Sequence, residues 1–352
     1  MRHLLARLFG LYNPNFMQGL AQAPQPSCSS ATESRFAASL GLRSCVALAG
    51  WPPSALRPRC VPRALALQEA IGDLSTLVWA NTTAGFAMLV HLRNDSVSAT
   101  IRRSGQWEYD HLAFMEALRP PTVKRYLDIG ANLGYHALVA ASRGYEVDAF
   151  EAMPANAALI NMSLCAQSHS MERRVRLLDV GFSSRPRTCL FVSAESNSAD
   201  AIARCDLAGP HEFAQPGYRA RGSFRMQTLS ETLTTSYYAM KIDIEGHEHE
   251  ALGPEGAGAF FRAHTVEHIL FESWPVPSVR RTFWPYLASL GYPTLRPRLS
   301  ASERAALLRL AVFKGAPLPL FGSPFEGRRP PKQLVEQTSV FDVLATRDVR
   351  GT

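Results

Sequence analysis

An α/β fold with a mostly parallel sheet, helices on both faces and one late antiparallel strand is predicted by three observations. Strand-like and helix-like segments alternate from about residue 122 onward, the pattern of a parallel sheet covered on both sides. A glycine turn, "YLDIGANLGYHA" (126–137), joins the first of these strands to the first helix. An acidic residue, Glu151, then closes the second strand 17 positions after Gly134.

The elements follow in order. Residues 1–64 are rich in Ala, Ser, Pro and Arg and lack sustained periodicity. They read either as a disordered extension or as an organellar transit-like leader, since Arg-rich, Ser-rich and acid-poor is the composition of such leaders. Without that address the cytoplasm is the expected location. Residues 65–120 form a helix and strand segment expected to cap the active site. Within it "ALALQEAIGDLSTLVWA" reads as an amphipathic helix, and "GFAMLVHL" and "SVSATIRR" as strands around the turn signal Asn94-Asp95. "WEYDHLAFMEALRP" has helical spacing and ends at Pro120-Pro121.

Residues 121–352 make the main domain. Its strands are "RYLDIG", "EVDAFEA", "VRLLDVGFS", "YYAMKIDIE" and "VEHILFES", with helices "GYHALVAASRG", "ANAALINMSLCAQ" and "RTFWPYLASLGY" between or after them. "CLFVSA" and "SFRMQTL" read as an inserted hairpin, and "SVFDVLATR" as the antiparallel strand. Residues 296–335 are a less regular insertion, with "ASERAALLRLAV" helical.

The net charge of +7 does not describe a folded binding face. Seven arginines and one acid, Glu33, lie in the first 68 residues, so almost all the excess is there, and nucleic acid is not an expected partner. No apolar run is long enough to span a membrane. Nothing in the sequence speaks to oligomeric state. The six cysteines (Cys28, Cys45, Cys60, Cys165, Cys189, Cys205) contain no C-x-x-C pair and read as free thiols in a reducing compartment. Three N-x-S/T triplets, at Asn81, Asn94 and Asn161, carry no meaning without a secretory route.

The glycine turn carries the first chemistry. Gly130 permits a tight turn and Gly134 a close backbone approach, at a helix N-terminus with free N–H groups. Its pattern, however, is D-x-G-x-N-x-G, with Asp128 leading and Asn132 where a dinucleotide fold has its second glycine. A carboxylate there repels a pyrophosphate and suits the amino acid and sulfonium of S-adenosylmethionine. Glu151 stands near the offset at which an acid binds ribose hydroxyls. Asp179, ending the third strand, joins Asp128, Gly130, Asn132, Gly134 and Glu151 as a cofactor-binding candidate.

The sequence resembles the FkbM-type methyltransferases, a class I S-adenosylmethionine-dependent family. The resemblance rests on "NDSVSATIRRSGQWE" (94–108), "YLDIGANLGYHALVAA" (126–141), "FEAMPANAALINMSL" (150–164), "MQTLSETL" (226–233) and "MKIDIEGHEHEAL" (240–252). It implies a Rossmann-like class I methyltransferase fold, S-adenosylmethionine as cofactor, and methylation of hydroxyl oxygens on sugars and other small molecules. It places Asp128, Gly130, Asn132 and Gly134 at the methionine end of the cofactor, Glu151 on the ribose, and Asp243 and Glu245 facing the methyl. Leu229-Ser230-Glu231 departs from the family's Leu-Asp-Asp, and "GPEGAGAFF" breaks a helix the family continues.

Strand alternation sets Lys241, Asp243 and Glu245 on one face. Asp243 or Glu245 is the candidate base, His247 a further one, and Lys241 either catalytic or an ion-pair anchor. Glu248 and Glu250 suit a helix start. His247 and His249 are two apart and do not share a helix face, so no metal-ligand set is expected, although Asp243 and Glu245 would suit a hard divalent ion. The competing readings are an NAD(P)-dependent oxidoreductase and a non-catalytic module that binds the cofactor without turnover. Asp128 and Asn132 disfavour the first.

Overall fold

The computed structural model describes residues 28–42, 45–108, 110–205, 215–273, 277–292, 294–297 and 341–347. Its seven-stranded sheet is built from β3 (Arg125–Ile129), β4 (Glu146–Phe150), β5 (Val175–Leu178), β10 (Tyr237–Ile242), β11 (Val266–Ser273), β12 (Thr294–Pro297) and β13 (Phe341–Thr346). The order is β12-β13-β11-β10-β3-β4-β5. Strand β13 runs antiparallel to both its neighbours, and the other pairs are parallel. The chain steps outward from β3 to β5, then returns to lay β10 against the other side of β3. That reversal opens a crevice at the carboxyl ends of β3 and β10, the place where open α/β sheets bind ligands.

Both faces of the sheet are covered. Tyr126 and Val147 enter a core shared with α5 (Tyr135–Ser142) and α6 (Pro154–Ala166). Leu127 and Ile129, pointing the other way, enter a core with α10 (Pro254–Ala263) and α11 (Pro277–Ser289). Strand β10 is buried along its whole length, as a central parallel strand must be.

The segment before the sheet differs from expectation in three ways. Residues 28–42 and 45–64 are folded, with α1 (Ala31–Ser39) capped by Ser30 and α2 (Val61–Ile71) opening on Pro62. Phe36, Leu48, Trp51 and Leu67 bury against the main core, so this is no extension; residues 1–27 lie outside the described residues. Next, the helix expected across 64–80 stops at Ile71, where Gly72 takes φ 86°, and Leu77–Asn81 becomes β1, paired antiparallel with β2 (Ala87–His91). Finally, "SVSATIRR" is helix α3 (Ser96–Ser104) and not a strand. Asp95 accepts from the Ser98 N–H as its cap, and Gly105 ends it in the left-handed conformation. The cap and the C-terminal glycine outweigh the β-branched residues. Helix α4 (His111–Leu118) follows as expected.

Hairpin β1–β2 packs on α6, where the Leu89 N–H donates to Ser163 Oγ and Gln167 Nε2 to the Ala87 carbonyl. It therefore braces the back of α6. No described residue of 65–120 lines the main cleft, and the expected capping role passes to another part of the chain. That part is a second sheet, order β6-β9-β7-β8, from β6 (Gly181–Phe182), β7 (Arg187–Ala194), β8 (Ile202–Arg204) and β9 (Tyr218–Gln227). It realises the predicted hairpin, with the "GF" of "VRLLDVGFS" drawn away from β5 into it. Short helices α7 (His169–Arg173), α8 (Leu229–Thr232) and α9 (Glu248–Ala251) complete the α-helices among the described residues.

All six cysteines pair, as Cys28–Cys45, Cys60–Cys165 and Cys189–Cys205, which overturns the reading as free thiols. Partners 105 residues apart, such as Cys60 and Cys165, meet only because α2 packs on α6, so spacing alone could not show them. Disulfides persist in oxidising surroundings, and the inference of a reducing compartment loses its basis. Closing so long a loop is worth about 2–4 kcal/mol in stability. No helix among the described residues is long and apolar enough to cross a membrane. The helix expected in "ASERAALLRLAV", and most of the 296–335 insertion, lie outside the described residues.

Candidate active site

The glycine turn is fixed by backbone contacts. Gly130 has φ 76°, and a Cβ there would lie 1.9 Å from the Asp243 carbonyl oxygen. Only glycine lets the ends of β3 and β10 come this close. The Gly130 and Ala131 N–H groups both donate to the Phe150 carbonyl at 2.9 Å, which ties the turn to the end of β4. Gly134 (φ 84°) brings α5 against Ile160 of α6, where a Cβ would be 3.0 Å from Ile160 Cγ1.

Glu151 is buried at the same end of the sheet. Its carboxylate accepts from the Asn132 N–H at 2.7 Å and the Met153 N–H at 2.8 Å. Burial pushes its pKa up to about 7, against the pull of those two donors. Asn132, itself left-handed at φ 52°, accepts from Asn156 Nδ2 at 3.3 Å. The carboxylate thus locks the turn and holds a fixed orientation in the cleft.

Asp128 is fully buried beneath the turn, and neither of its oxygens has a hydrogen-bond partner of ordinary geometry. Burial raises its pKa, partly countered by Lys241, its register partner on β10. Asp128 underlies the cleft and does not line it.

At the end of β10 the chain leaves the extended conformation. The strand stops at Ile242, and Glu245 and Gly246 are left-handed at φ 54° and 97°. The expected alternation that would set Lys241, Asp243 and Glu245 on one face is broken there. Lys241 is buried and lies 3.0 Å from Asp243 Oδ2. Burial lowers its pKa, but the carboxylates of Asp243, Asp128 and Glu108 outweigh that and raise it. Lys241 is therefore a permanent cation anchoring Asp243.

Glu245 reaches the cleft, and its pKa is raised to about 8 by burial first and by Asp243 and Glu272 after it. Glu248, buried on α9, accepts from the Ile244 N–H at 2.8 Å and the Gly246 N–H at 3.0 Å. It holds the loop that carries Glu245, a role beyond the dipole contact expected of it. Glu250 pairs with Arg187 and accepts from Ser183 Oγ at 2.8 Å, which clamps α9 to the second sheet. His247 Nδ1 sits 3.8 Å from that same Glu250 carboxylate.

The resulting cleft brings together Gly130, Asn132 and Glu151 on one side and Asp243 and Glu245 on the other. The second sheet covers it with Phe191 and Phe224, stacked at 3.9 Å, a pair that strand patterning could not single out. Gly134, Lys241 and His247 stand behind the lining, and Asp179 is exposed while its neighbours Val180 and Gly181 face the cleft. Carboxylate oxygens of Asp243, Glu248 and Glu272 lie within 4.8 Å of one another, so the acid grouping around Asp243 differs from the pair Asp243 and Glu245.

Residues 128–293 match the family described as the methyltransferase FkbM domain. The segment is similar to that family over somewhat less than half of the chain. It holds the glycine turn, Glu151 and both acids of the cleft. No curated protein sequence matches the chain. Among solved structures it is similar to a methyltransferase FkbM from Methylobacillus flagellatus KT, at 12% identity over 68% of this chain and 48% of that one, TM-score 0.30. It is also similar to a SAM-dependent O-methyltransferase from Thermotoga maritima, at 13% identity over 78% and 94%, TM-score 0.34. A glycopeptide N-methyltransferase complexed with S-adenosyl-L-homocysteine aligns at 12% identity over 67% and 86%, TM-score 0.28. Scores this low leave the fold assignment to the strand order and the domain match.

Proposed function

We propose that this chain binds S-adenosylmethionine in the cleft at β3 and β10 and transfers its methyl group to a hydroxyl oxygen of a small-molecule or carbohydrate acceptor. The observation that carries the reading is the convergence of a buried, oriented carboxylate (Glu151) and a high-pKa carboxyl (Glu245) on one cleft with apolar walls. The residues present fit such a cofactor. Glu151 keeps lone pairs beyond those used by Asn132 and Met153, which suits ribose hydroxyls. Phe182, Phe191 and Met226 offer apolar surface for a purine. Asn132 puts a polar group at the methionine end, and Asp128 sets an acidic group beneath it without lining the cleft.

When bound, S-adenosylmethionine supplies an electrophilic methyl on a sulfonium. The chain's part is to align the acceptor and take its proton. Glu245, as carboxylate, receives the hydroxyl proton. Asp243, held by Lys241, orients the O–H. Glu248 keeps the 244–246 loop in place during both.

Three measurements test the reading. Calorimetric titration of the native chain with S-adenosylmethionine is expected to show binding, and NAD none. Glu151→Ala is expected to lose about 1–3 kcal/mol of cofactor affinity; unchanged affinity would remove the ribose assignment. Labelled cofactor incubated with a cell extract then identifies the acceptor, with transfer to nitrogen only standing against a hydroxyl.

A further inference from the structure

Away from the cleft, Glu108, His111 and His136 bring three ligand atoms together from two parts of the chain. Glu108 precedes α4, His111 opens it, and His136 sits in the first turn of α5. Glu108 Oε2 lies 2.8 Å from His111 Nε2 and 3.4 Å from His136 Nε2, and the three ligand atoms are all within 4.8 Å of one another. The two imidazole rings lie with centroids 4.8 Å apart, tilted by 43° to one another.

A plain hydrogen-bonded cluster explains only half of this arrangement. His111 has a good contact with the carboxylate. His136 Nε2 is buried, aims at the same oxygen and has no hydrogen-bond partner of acceptable geometry. Leaving a buried polar atom in that state costs about 1–3 kcal/mol. Glu108 also takes a left-handed backbone at φ 54°, an unfavourable conformation for a residue with a Cβ unless its surroundings impose it.

We propose that Glu108, His111 and His136 bind a divalent transition ion, zinc first, which staples the segment before α4 to the helix that follows the glycine turn. Two imidazoles and one carboxylate are borderline-soft donors that suit zinc and not magnesium or calcium. A tetrahedral zinc with bonds of about 2.0–2.2 Å sets its ligand atoms roughly 3.4 Å apart. The pair with His136 already has that spacing, and the pair with His111 needs to open by about half an ångström. The ion satisfies His136 Nε2, and water can fill its fourth position. Asp128 and Lys241 act electrostatically on His136 from behind, and the carboxylates around them outnumber that lysine. Glu108 retains 17% exposure, which leaves a route of entry.

The test uses the full chain freed of metal with a chelator, then titrated with zinc or cobalt(II). Expected are one ion per chain by elemental analysis, a higher unfolding temperature with zinc, and visible d–d bands with cobalt. Glu108→Gln and His136→Asn are each expected to weaken zinc binding about tenfold or more. Zinc affinity unchanged in both variants would overturn the proposal and move the ion to Asp243, Glu248 and Glu272 or to the surface. Where a variant fails to fold, the native chain still decides: no retained zinc, or cobalt without visible bands, would overturn it. S-adenosylmethionine binding plays no part in this readout.

Discussion

The carboxyl ends of β3 and β10 are neighbours in one sheet, yet they use their acids differently. Beyond β3 and β4, Glu151 spends two acceptor positions on the backbone N–H groups of Asn132 and Met153, so the proposed cofactor side of the cleft is braced before any ligand arrives. Beyond β10, that scaffolding task falls to Glu248, which holds Ile244 and Gly246. Glu245 is then presented at the cleft with no hydrogen bond to its carboxyl among the described residues. Each side has one acid that builds the loop. Only the β10 side has a second acid left for chemistry, and the loop-building acid is what makes that possible.

The largest expected effect follows from this division. Glu245→Gln removes the proposed base and is expected to lower the methyl-transfer rate by about 10²–10⁴-fold with cofactor affinity little changed. A carboxyl whose pKa is raised to about 8 is mostly protonated at neutral pH, so the native rate should climb with pH until it levels above about 8. A flat profile in the native enzyme would deny Glu245 this role and turn attention to Asp243.

The contact between the two strand ends is tested by Gly130→Ala. The added Cβ meets a backbone oxygen at 1.9 Å, which no side-chain rotation relieves, and the residue is left-handed as well. A loss of about 3 kcal/mol or more in urea unfolding is expected. Gly144→Ala is the control: it has a similar φ of 86° but nothing within 4 Å, and should cost only about 1 kcal/mol. Equal losses would mean that backbone strain matters and the approach of β3 to β10 does not.

These contrasts also explain what was legible in the sequence. The parallel strands and the glycine turn were readable because buried apolar runs and positive-φ glycines leave local marks. Glu151 was readable by its offset from Gly134. The end of α2 is not legible because "LSTLVWA" keeps apolar spacing after Gly72, and a strand and a helix both accept it. The disulfides, the Phe191–Phe224 cover and the bond from Glu248 to the Glu245 loop depend on contacts between distant segments, or on one left-handed residue. Alternation fails at Glu245 because the strand stops at Ile242 and the chain turns left-handed at Glu245 and Gly246.

The smallest effect concerns Glu248, and its sign separates scaffold from catalyst. Burial raises its pKa to about 8 in the folded chain, against an ordinary value of 4.5 unfolded. Between those values the folded state keeps a proton that the unfolded state has released, so this residue's contribution to stability falls as pH rises through the window. Other buried groups titrate as well, notably His91, His136 and His249, whose pKa values are lowered mainly by burial and whose contribution runs the other way below about pH 6.5. The informative quantity is therefore the difference between the native chain and Glu248→Gln, in which those terms cancel. The glutamine can still accept one backbone N–H and carries no proton to lose. Relative to the variant, the native melting temperature is expected to drop by roughly 5 °C between pH 5 and pH 8. A constant difference would mean that Glu248 does not change its charge there, and that the β10 loop is held by a carboxylate ionised throughout, as a permanent neighbour of Asp243.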